Sequence, residues 1–158
     1  MPLSFPLSPM TNSQIIQFLY DQGVVRAESI RNEQNDGLFA HVTEAWLRGT
    51  FCPALKRYVE AIVPPGYHEE AGDCDDHADR AVRFAKDLHL RHSWNSGRAL
   101  AVGTFTYHSE LGGQHKIMYA ITAEPSSGKP KLLFIEPQLY QVVKLTPTEI
   151  ASCTRFSL

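Results

Sequence analysis

Patterns typical of helices and patterns typical of strands fall in separate parts of this sequence. Up to about residue 90, apolar residues recur at steps of three and four, as they do along one face of a helix. From Ala99 onward, short β-rich runs alternate with turn signals, which is typical of strands. A block of helices followed by consecutive strands favours an α+β fold with an antiparallel meander. We therefore predict N-terminal helices packed on an antiparallel sheet of about four strands.

The N-terminal part divides into three predicted helices, and the third has the strongest signals. Asp73 is a favoured N-cap residue, and Asp75 and Asp76 follow in the first turn, where the helix dipole stabilises carboxylates. In the second helix, the stretch 49–53 contains a glycine and a proline and should break the helix. The predicted helical ranges are 11–23, 38–63 with that break, and 74–90.

Four strands are predicted in the C-terminal part, separated by turns rich in glycine, proline and serine. Their ranges are 99–107, 115–123, 131–135 and 139–145. Residues 1–10 contain three prolines and two serines, which favours an extended N-terminal arm. The remaining residues, 11–158, have the length of one ordinary domain, and the 43% of apolar residues in the chain suffices for a core.

The charge balance excludes several classes of partner. The chain has 15 basic and 17 acidic residues, a formal net charge of −2, and therefore no basic surface of the kind that binds nucleic acid or a membrane. No apolar run approaches the ~18–20 residues that span a bilayer. Three cysteines, an odd number, argue against a disulfide framework, and the N-terminus lacks the features of a signal peptide. We expect a cytoplasmic protein, or one delivered without a classical signal peptide.

Cys74 stands at the predicted start of the third helix and is a candidate nucleophile. The unpaired N–H groups and the dipole at a helix start favour a thiolate, and the same N–H groups can donate to an oxyanion. Asp73, Asp75 and Asp76 would raise the thiol pKa if they lie close, so activation would have to come from a histidine. A cysteine on the apolar stripe of a helix is also a common small core residue.

His115 and Glu136 are candidates for the base and for the group that orients it. His115 follows a Gly-Gly loop at the start of one predicted strand, and Glu136 ends the next strand. A symmetric hairpin centred near Ser127 would pair His115 with Leu139, so this register does not choose between Glu136 and Gln138. We favour Glu136, because a carboxylate stabilises an imidazolium better than an amide does. Separately, each residue is also an ordinary strand-end side chain.

Three motifs in this order resemble a known family. They are Asp-Cys-Asp-Asp-His-Ala (73–78), Gly-Gly-Gln-His (112–115) and Phe-Ile-Glu-Pro-Gln (134–138). Together they resemble the papain-like cysteine protease domain of the fairy-ring mushroom agglutinin, within the papain/transglutaminase-like superfamily. The resemblance covers roughly residues 60–145, and it departs from the family pattern at His77, where an aromatic residue is expected. No lectin module is expected beside it, so the resemblance does not imply sugar binding.

The resemblance implies a fold and a reaction. It makes residues 11–158 a single papain-like domain, with Cys74 as nucleophile, His115 as general base and acid, and Glu136 as the residue that orients the imidazole. The implied activity is hydrolysis of an amide or isopeptide bond through a thioester. Acyl transfer to an amine, as in a transglutaminase, would use the same residues. The expected substrate is a peptide, a protein or a peptidoglycan-like polymer.

Two further residues could contribute to such a site. His108 could replace His115 as the base, although the glycine loop leaves the approach to His115 freer. Tyr67 lies seven residues before Cys74 and could add a donor to the oxyanion.

Acidic residues around the third helix could also bind a metal. Asp75 and Asp76 are the expected ligands for Ca²⁺ or Mn²⁺, which would act as a regulator that catalysis does not require. The family is similar in being calcium-dependent, but helix capping alone also explains acidic residues at this place. A metal-dependent hydrolase using His108, His115 and Glu136 is an alternative, although no His-Glu-x-x-His helix supports it.

A third alternative is a non-catalytic binding or accessory domain on the same fold. In that case, Cys74 would lie beyond hydrogen-bonding distance of any histidine. The sequence does not indicate an oligomeric state.

Overall fold

A computed structural model describes residues 9–24, 37–62, 73–93, 98–124 and 126–158. The helices in these ranges are α1 (Asn12–Asp21), α2 (Glu44–Trp46), α3 (Cys52–Ile62), α4 (Cys74–Ser93) and α5 (Pro147–Ala151). A π-helical turn, Leu47–Phe51, joins α2 to α3. The strands are β1 (Phe39–Ala40), β2 (Val42–Thr43), β3 (Ala99–Leu100), β4 (Val102–His108), β5 (Gln114–Ala123), β6 (Pro130–Glu136), β7 (Gln141–Val143) and β8 (Arg155–Phe156).

The strands form one main sheet whose order is β7-β6-β5-β4-β8. All neighbours along this order are antiparallel. The short β2 pairs in parallel with the end of β5, and β1 and β3 form a separate parallel pair. β5 lies at the centre of the sheet and is its longest strand. Its first residues are held in place by pairing with β4.

The main sheet separates two hydrophobic cores. In β5, Met118 and Tyr119 are both fully buried, although neighbouring side chains in a strand point to opposite faces. Tyr119 packs in the core that contains Ile15 of α1. Met118 packs in the core that contains Leu55 of α3 and Ala85 of α4. The sheet therefore carries α1 on one face and the α3–α4 pair on the other.

The α+β class and the antiparallel sheet are confirmed. The four predicted strands correspond to β4 (with β3), β5, β6 and β7, and two short strands, β2 and β8, extend the sheet. The sequence signals for β4 to β7 are local turns and apolar runs, which explains why these strands could be predicted.

Two predictions for the helices are wrong. Residues 38–43 were expected to be helical, but Phe39–Ala40 and Val42–Thr43 are strands that pair with β3 and β5. Pairing with distant strands here outweighs the helix-like spacing of the apolar residues. The break expected at 49–53 is instead a continuous π-helical turn into α3. Pro53 has no N–H to donate to the preceding turn, and the wider π-helical turn, in which the Cys52 N–H donates to the Leu47 carbonyl, lies directly before it.

The predicted N-terminal arm lies mostly outside the described residues, which begin at residue 9. Met10 forms an antiparallel bridge with Phe39, with backbone N–H···O distances of 3.1 and 2.8 Å. Within the described ranges, none of the helices combines the length and the apolar run that crossing a membrane requires.

Candidate active site

The N-terminus of α4 is capped as the sequence predicts. The Asp73 Oδ1 atom accepts the backbone N–H groups of Asp75 and Asp76, at 3.1 and 3.3 Å. This capping satisfies two donors that have no partner within the helix. Cys74 is consequently the first residue of a well-capped helix, half-buried and with a free thiol.

A cavity of about 360 Å³ lies beside this helix start. Its lining includes Cys74 and Asp75 from α4, together with His115 and Lys116 from β5. Ligand pockets commonly have volumes of about 300–1,000 Å³. The cavity is therefore large enough for part of a peptide, and it brings together the predicted nucleophile and the predicted base.

Glu136 holds the imidazole of His115. Its Oε2 atom lies 2.5 Å from His115 Nε2, in a largely buried contact between β5 and the end of β6. The Oε1 atom accepts the backbone N–H of Gln138 at 3.1 Å, so the carboxylate is itself fixed. Among the described residues, the other ring nitrogen, Nδ1, makes no hydrogen bond.

The choice between Glu136 and Gln138 follows from the strand register. Met118 pairs with Ile135, and the ladder between β5 and β6 ends there, so His115 is paired with neither Gln138 nor Leu139. The predicted register, in which Met118 would pair with Glu136, is wrong by one residue. In the observed register Glu136 is a diagonal neighbour of His115 on the same face, within reach of a long side chain.

Tyr107 is a residue of this site that the sequence analysis missed. It pairs with His115 across β4 and β5, and its ring meets the imidazole edge-on, with centroids 5.8 Å apart. Burial, followed by the nearby charges of Glu149 and Glu136, raises the pKa of Tyr107 to about 12. The phenol is therefore neutral at ordinary pH. The hairpin around Leu111 is a local signal that could have identified this pairing.

The thiol of Cys74 makes no hydrogen bond to a histidine within the described ranges. Its Sγ atom donates instead to Asp75 Oδ1, at 3.8 Å. Burial raises the pKa of the Cys74 thiol, and the charges of Asp75 and Asp73 raise it further. The backbone N–H of Lys116 acts in the opposite direction, as does that of Cys74 itself. In this arrangement the thiol is protonated at neutral pH. Asp73 and Asp75 raise its pKa, as expected from their places beside Cys74 in the sequence.

Alternation along β5 explains why the thiol lies near Lys116. Lys116 is in register with Thr106, and its Nζ atom reaches Asp79 of α4 at 2.8 Å. His115, the preceding residue, points to the opposite face of the strand, toward Tyr107 and Glu136. Both residues border the cavity, but it is the backbone N–H of Lys116 that acts to lower the pKa of the Cys74 thiol.

The other residues suggested for the site are placed differently. His108 is exposed, its backbone N–H donates to Ser152 Oγ, and it is not part of the cavity lining. Tyr67 lies outside the described residues, so its suggested role stays a prediction. Gln138 contributes its backbone N–H to Glu136, rather than its side chain to His115.

No set of three His, Cys, Asp or Glu side chains suited to a metal occurs in the part of the chain that the structure describes. The alternative site made of His108, His115 and Glu136 is therefore not assembled. The backbone N–H groups of Asp75 and Asp76 are used in helix capping, and the Asp75 carboxylate accepts the thiol. Regulation by Ca²⁺ or Mn²⁺ through these two carboxylates stays a prediction.

Among known proteins, solved structures match this chain, whereas comparisons of its sequence find no match. Neither a protein-family model nor a curated protein matches the chain. A crystal structure of Polyporus squamosus lectin, bound to the human-type influenza-binding epitope Neu5Acα2-6Galβ1-4GlcNAc, matches with a TM-score of 0.69 and 18% identity. That match covers 94% of this chain and 49% of the other.

A second solved structure, described as a PSL1a–E64 complex, matches with a TM-score of 0.62 and 17% identity. This match covers 94% of the chain and 50% of the other, so the present chain spans about half the length of each structure. At these identities the likeness establishes the fold alone. The chain is thus similar in fold to part of a mushroom lectin structure, and its papain-like nature stays a prediction.

Proposed function

We propose that the cavity beside α4 is the active site of a thiol-dependent hydrolase that cleaves an amide or isopeptide bond. The observation that carries this proposal is the hydrogen bond between His115 Nε2 and Glu136 Oε2, at the border of a cavity that also holds Cys74. A carboxylate on one ring nitrogen fixes the tautomer and leaves the other nitrogen for the thiol, which is the arrangement that nucleophilic catalysis requires.

The reaction would follow from the positions of these groups. His115 Nδ1 takes the proton of Cys74, and the sulfur attacks the carbonyl carbon. The backbone N–H groups that already favour the thiolate, those of Cys74 and Lys116, are suited to stabilise the oxyanion. The imidazolium, stabilised by Glu136, then gives its proton to the leaving amine, and a thioester remains. Water activated by His115 hydrolyses the thioester, or an amine takes the acyl group instead.

Catalysis requires a rearrangement of the thiol. Cys74 donates to Asp75 in the structure, so its Sγ atom has to turn from Asp75 to His115 when the substrate enters. Catalytic hydrogen bonds are often loose without substrate and shorten in the complex. A substrate carbonyl that displaces water from the cavity would favour this change. Peptides, proteins and peptidoglycan-like polymers are the proposed substrates.

A non-catalytic binding domain is the second candidate function, and a specific observation favours it. The thiol of Cys74 has a raised pKa and donates to Asp75, rather than to a histidine. The comparisons support this candidate better than the first, since one similar structure is a lectin bound to a glycan. A carbohydrate-like or peptide ligand would then occupy the cavity without reaction.

One experiment separates the two functions. The purified protein is incubated with E64, an epoxide that alkylates thiolates, and with a degenerate peptide library whose products are read by mass spectrometry. Covalent addition of E64 at Cys74, together with peptide cleavage that Cys74→Ala abolishes, supports the hydrolase. Absence of both, with unchanged ligand binding by Cys74→Ala, contradicts it and supports the binding domain. Cys52→Ala is the matched control, because Cys52 is buried outside the cavity.

A further inference from the structure

The wall of the cavity opposite α4 carries a row of polar residues in register. Thr106 of β4 pairs on one side with Lys116 of β5 and on the other with Arg155 of β8. Paired residues in an antiparallel sheet point to the same face. All three residues line the cavity that holds Cys74. The described lining residues all carry a polar group or a thiol, so the cavity suits a polar ligand.

The two cations in this row differ in availability. Lys116 forms an ion pair with Asp79 at 2.8 Å, and only 17% of its side chain is exposed. Arg155 is exposed, and its side chain makes no ion pair or hydrogen bond within the ranges that the structure describes. The positive charge that a ligand in the cavity can engage is therefore that of Arg155.

Neighbouring groups make the surroundings of Arg155 suitable for an anion. The Thr106 hydroxyl has no hydrogen-bond partner among the described residues. The Thr154 hydroxyl is held in place, since it accepts from Gln114 Nε2 at 3.3 Å and donates to the Thr106 carbonyl at 3.4 Å. A planar carboxylate could take two N–H groups of Arg155 and the hydroxyl of Thr106 at the same time.

We propose that Arg155 selects ligands of this cavity that carry a carboxylate, as an acidic peptide does, next to the group that reaches Cys74. Where the ligand is a substrate, this inference rests on the proposed hydrolase. Arg155 is then a specificity-determining residue. The carboxylate comes from an aspartate or glutamate side chain, or from the free C-terminus of a peptide. Asp75, on the opposite wall, disfavours a second negative charge close to the thiol.

The selectivity can be measured on the thiol itself, without turnover. Iodoacetate and iodoacetamide have the same reacting carbon and leaving group, but only iodoacetate carries a carboxylate. The rate of alkylation at Cys74 is measured for both reagents by peptide mass spectrometry. We expect Arg155→Gln to slow iodoacetate about three- to tenfold and to change the rate with iodoacetamide less than about twofold, since only one reagent loses an attraction.

Two variants serve as controls. Arg83→Gln removes another exposed guanidinium, one that lines a different cavity, and should change neither rate. Arg155→Lys keeps the charge but loses the planar pair of donors, and should retain part of the preference for iodoacetate. An unchanged ratio of the two rates in Arg155→Gln, or an equal fall in Arg83→Gln, overturns the inference.

Protection of Cys74 from iodoacetamide identifies the source of the carboxylate. Capped peptides with Glu or Asp are compared with the same peptides carrying Gln or Asn, and free C-termini with amidated ones. Protection that depends on either carboxylate, and is lost in Arg155→Gln, supports the inference. Protection by an uncharged trisaccharide but by no peptide that carries a carboxylate contradicts it. A charge preference without peptide cleavage contradicts only the hydrolase, whereas cleavage without a charge preference contradicts only the role of Arg155.

Discussion

His115 and Glu136 are joined across two strands by a 2.5 Å hydrogen bond, although 21 residues separate them in the chain. The second oxygen of Glu136 accepts the backbone N–H of Gln138, so that neither the carboxylate nor the imidazole is free to turn. Both oxygens of the Glu136 carboxylate are thus engaged in hydrogen bonds. Because His115 lies on the central strand of the sheet, we expect the pair to stay in place while the thiol of Cys74 turns toward it.

Removing Glu136 should destabilise the fold as well as the site. Glu136→Ala leaves the Gln138 N–H and His115 Nε2 without their partner in a largely buried place, and we expect the free energy of unfolding to fall by about 1–3 kcal/mol. Glu136→Gln keeps one acceptor and should lose less. Urea unfolding of the three proteins measures both changes. Equal stability of Glu136→Ala and the wild type would show that the pair is not formed.

The three thiols should differ in reactivity toward iodoacetamide. Cys52 and Cys153 are buried, and burial raises the pKa of Cys52 to about 11, whereas Cys74 is partly accessible at the cavity. We expect Cys74 to react at least about tenfold faster than the other two under native conditions, because reaction needs both access and thiolate. Peptide mapping after limited alkylation measures the rates. Labelling of all three cysteines at the same rate would contradict the placement of Cys74.

Asp75→Asn should make Cys74 more reactive. The negative charge of Asp75 contributes to the raised pKa of the thiol, so its removal lowers that pKa and increases the thiolate fraction below it. Solvent screens the interaction, and we expect the alkylation rate at pH 8 to rise about two- to fivefold. The whole pH–rate profile should move to lower pH.

Asp76→Asn is the matched control for this prediction. It removes a carboxylate from the same helical turn, but Asp76 is not among the groups that shift the pKa of Cys74. If both variants accelerate alkylation equally, the effect belongs to the helix start in general and not to the contact between Asp75 and the sulfur.

His41 should make the stability depend on pH. It is 1% exposed, neither ring nitrogen has a hydrogen-bond partner among the residues that the structure describes, and burial lowers its pKa. The unfolded chain therefore binds a proton more readily, at a pKa of about 6.5. The folded state keeps its full stability above that pH and loses stability as the pH falls from about 6.5 toward the lowered pKa of the folded state.

His41→Leu should remove this contribution. We expect a smaller fall in unfolding free energy between pH 7 and pH 5. At pH 7 we expect a gain of about 1–3 kcal/mol from removing two buried nitrogens that have no partner in the described part of the chain. Some dependence will remain, because burial lowers the pKa of His77 as well. His108→Leu, at an exposed position, is the control. Urea unfolding at several pH values gives the slopes, and an unchanged slope in His41→Leu would contradict the prediction.

Local signals were enough to predict the elements that carry the site. Asp73 and the following carboxylates indicate where α4 begins, and the turns around Gly112 and Ser127 indicate the hairpins. Consequently His115 and Glu136 could be assigned to neighbouring strands from sequence. The short strands β1, β2 and β8 could not be predicted, because the strands with which they pair lie more than 40 residues away in the chain.

The geometry between the predicted residues depends on register, which the sequence does not determine. A shift of one residue decides whether Met118 pairs with Ile135, as observed, or with Glu136, as predicted. Lys116 and Arg155 could not be predicted for the same reason, because their places in the cavity follow from pairing with Thr106. Motif order therefore singled out Cys74 and His115, which both border the cavity, but it did not predict that Cys74 would donate to Asp75.

Because His115 and Lys116 point to opposite faces of β5, the register of this strand determines which of the two side chains lies beside Glu136. If β5 slid by a single residue so that Lys116 took the place of His115 beside Glu136, an ammonium would replace the imidazole there, and the imidazole would turn to the opposite face of the sheet. A one-residue insertion that shifts the register of β5 would thus replace the imidazole beside Glu136 by an ammonium, although no side chain of the site is mutated. An insertion taken up by the Gly112–Gly113 turn would leave the site intact.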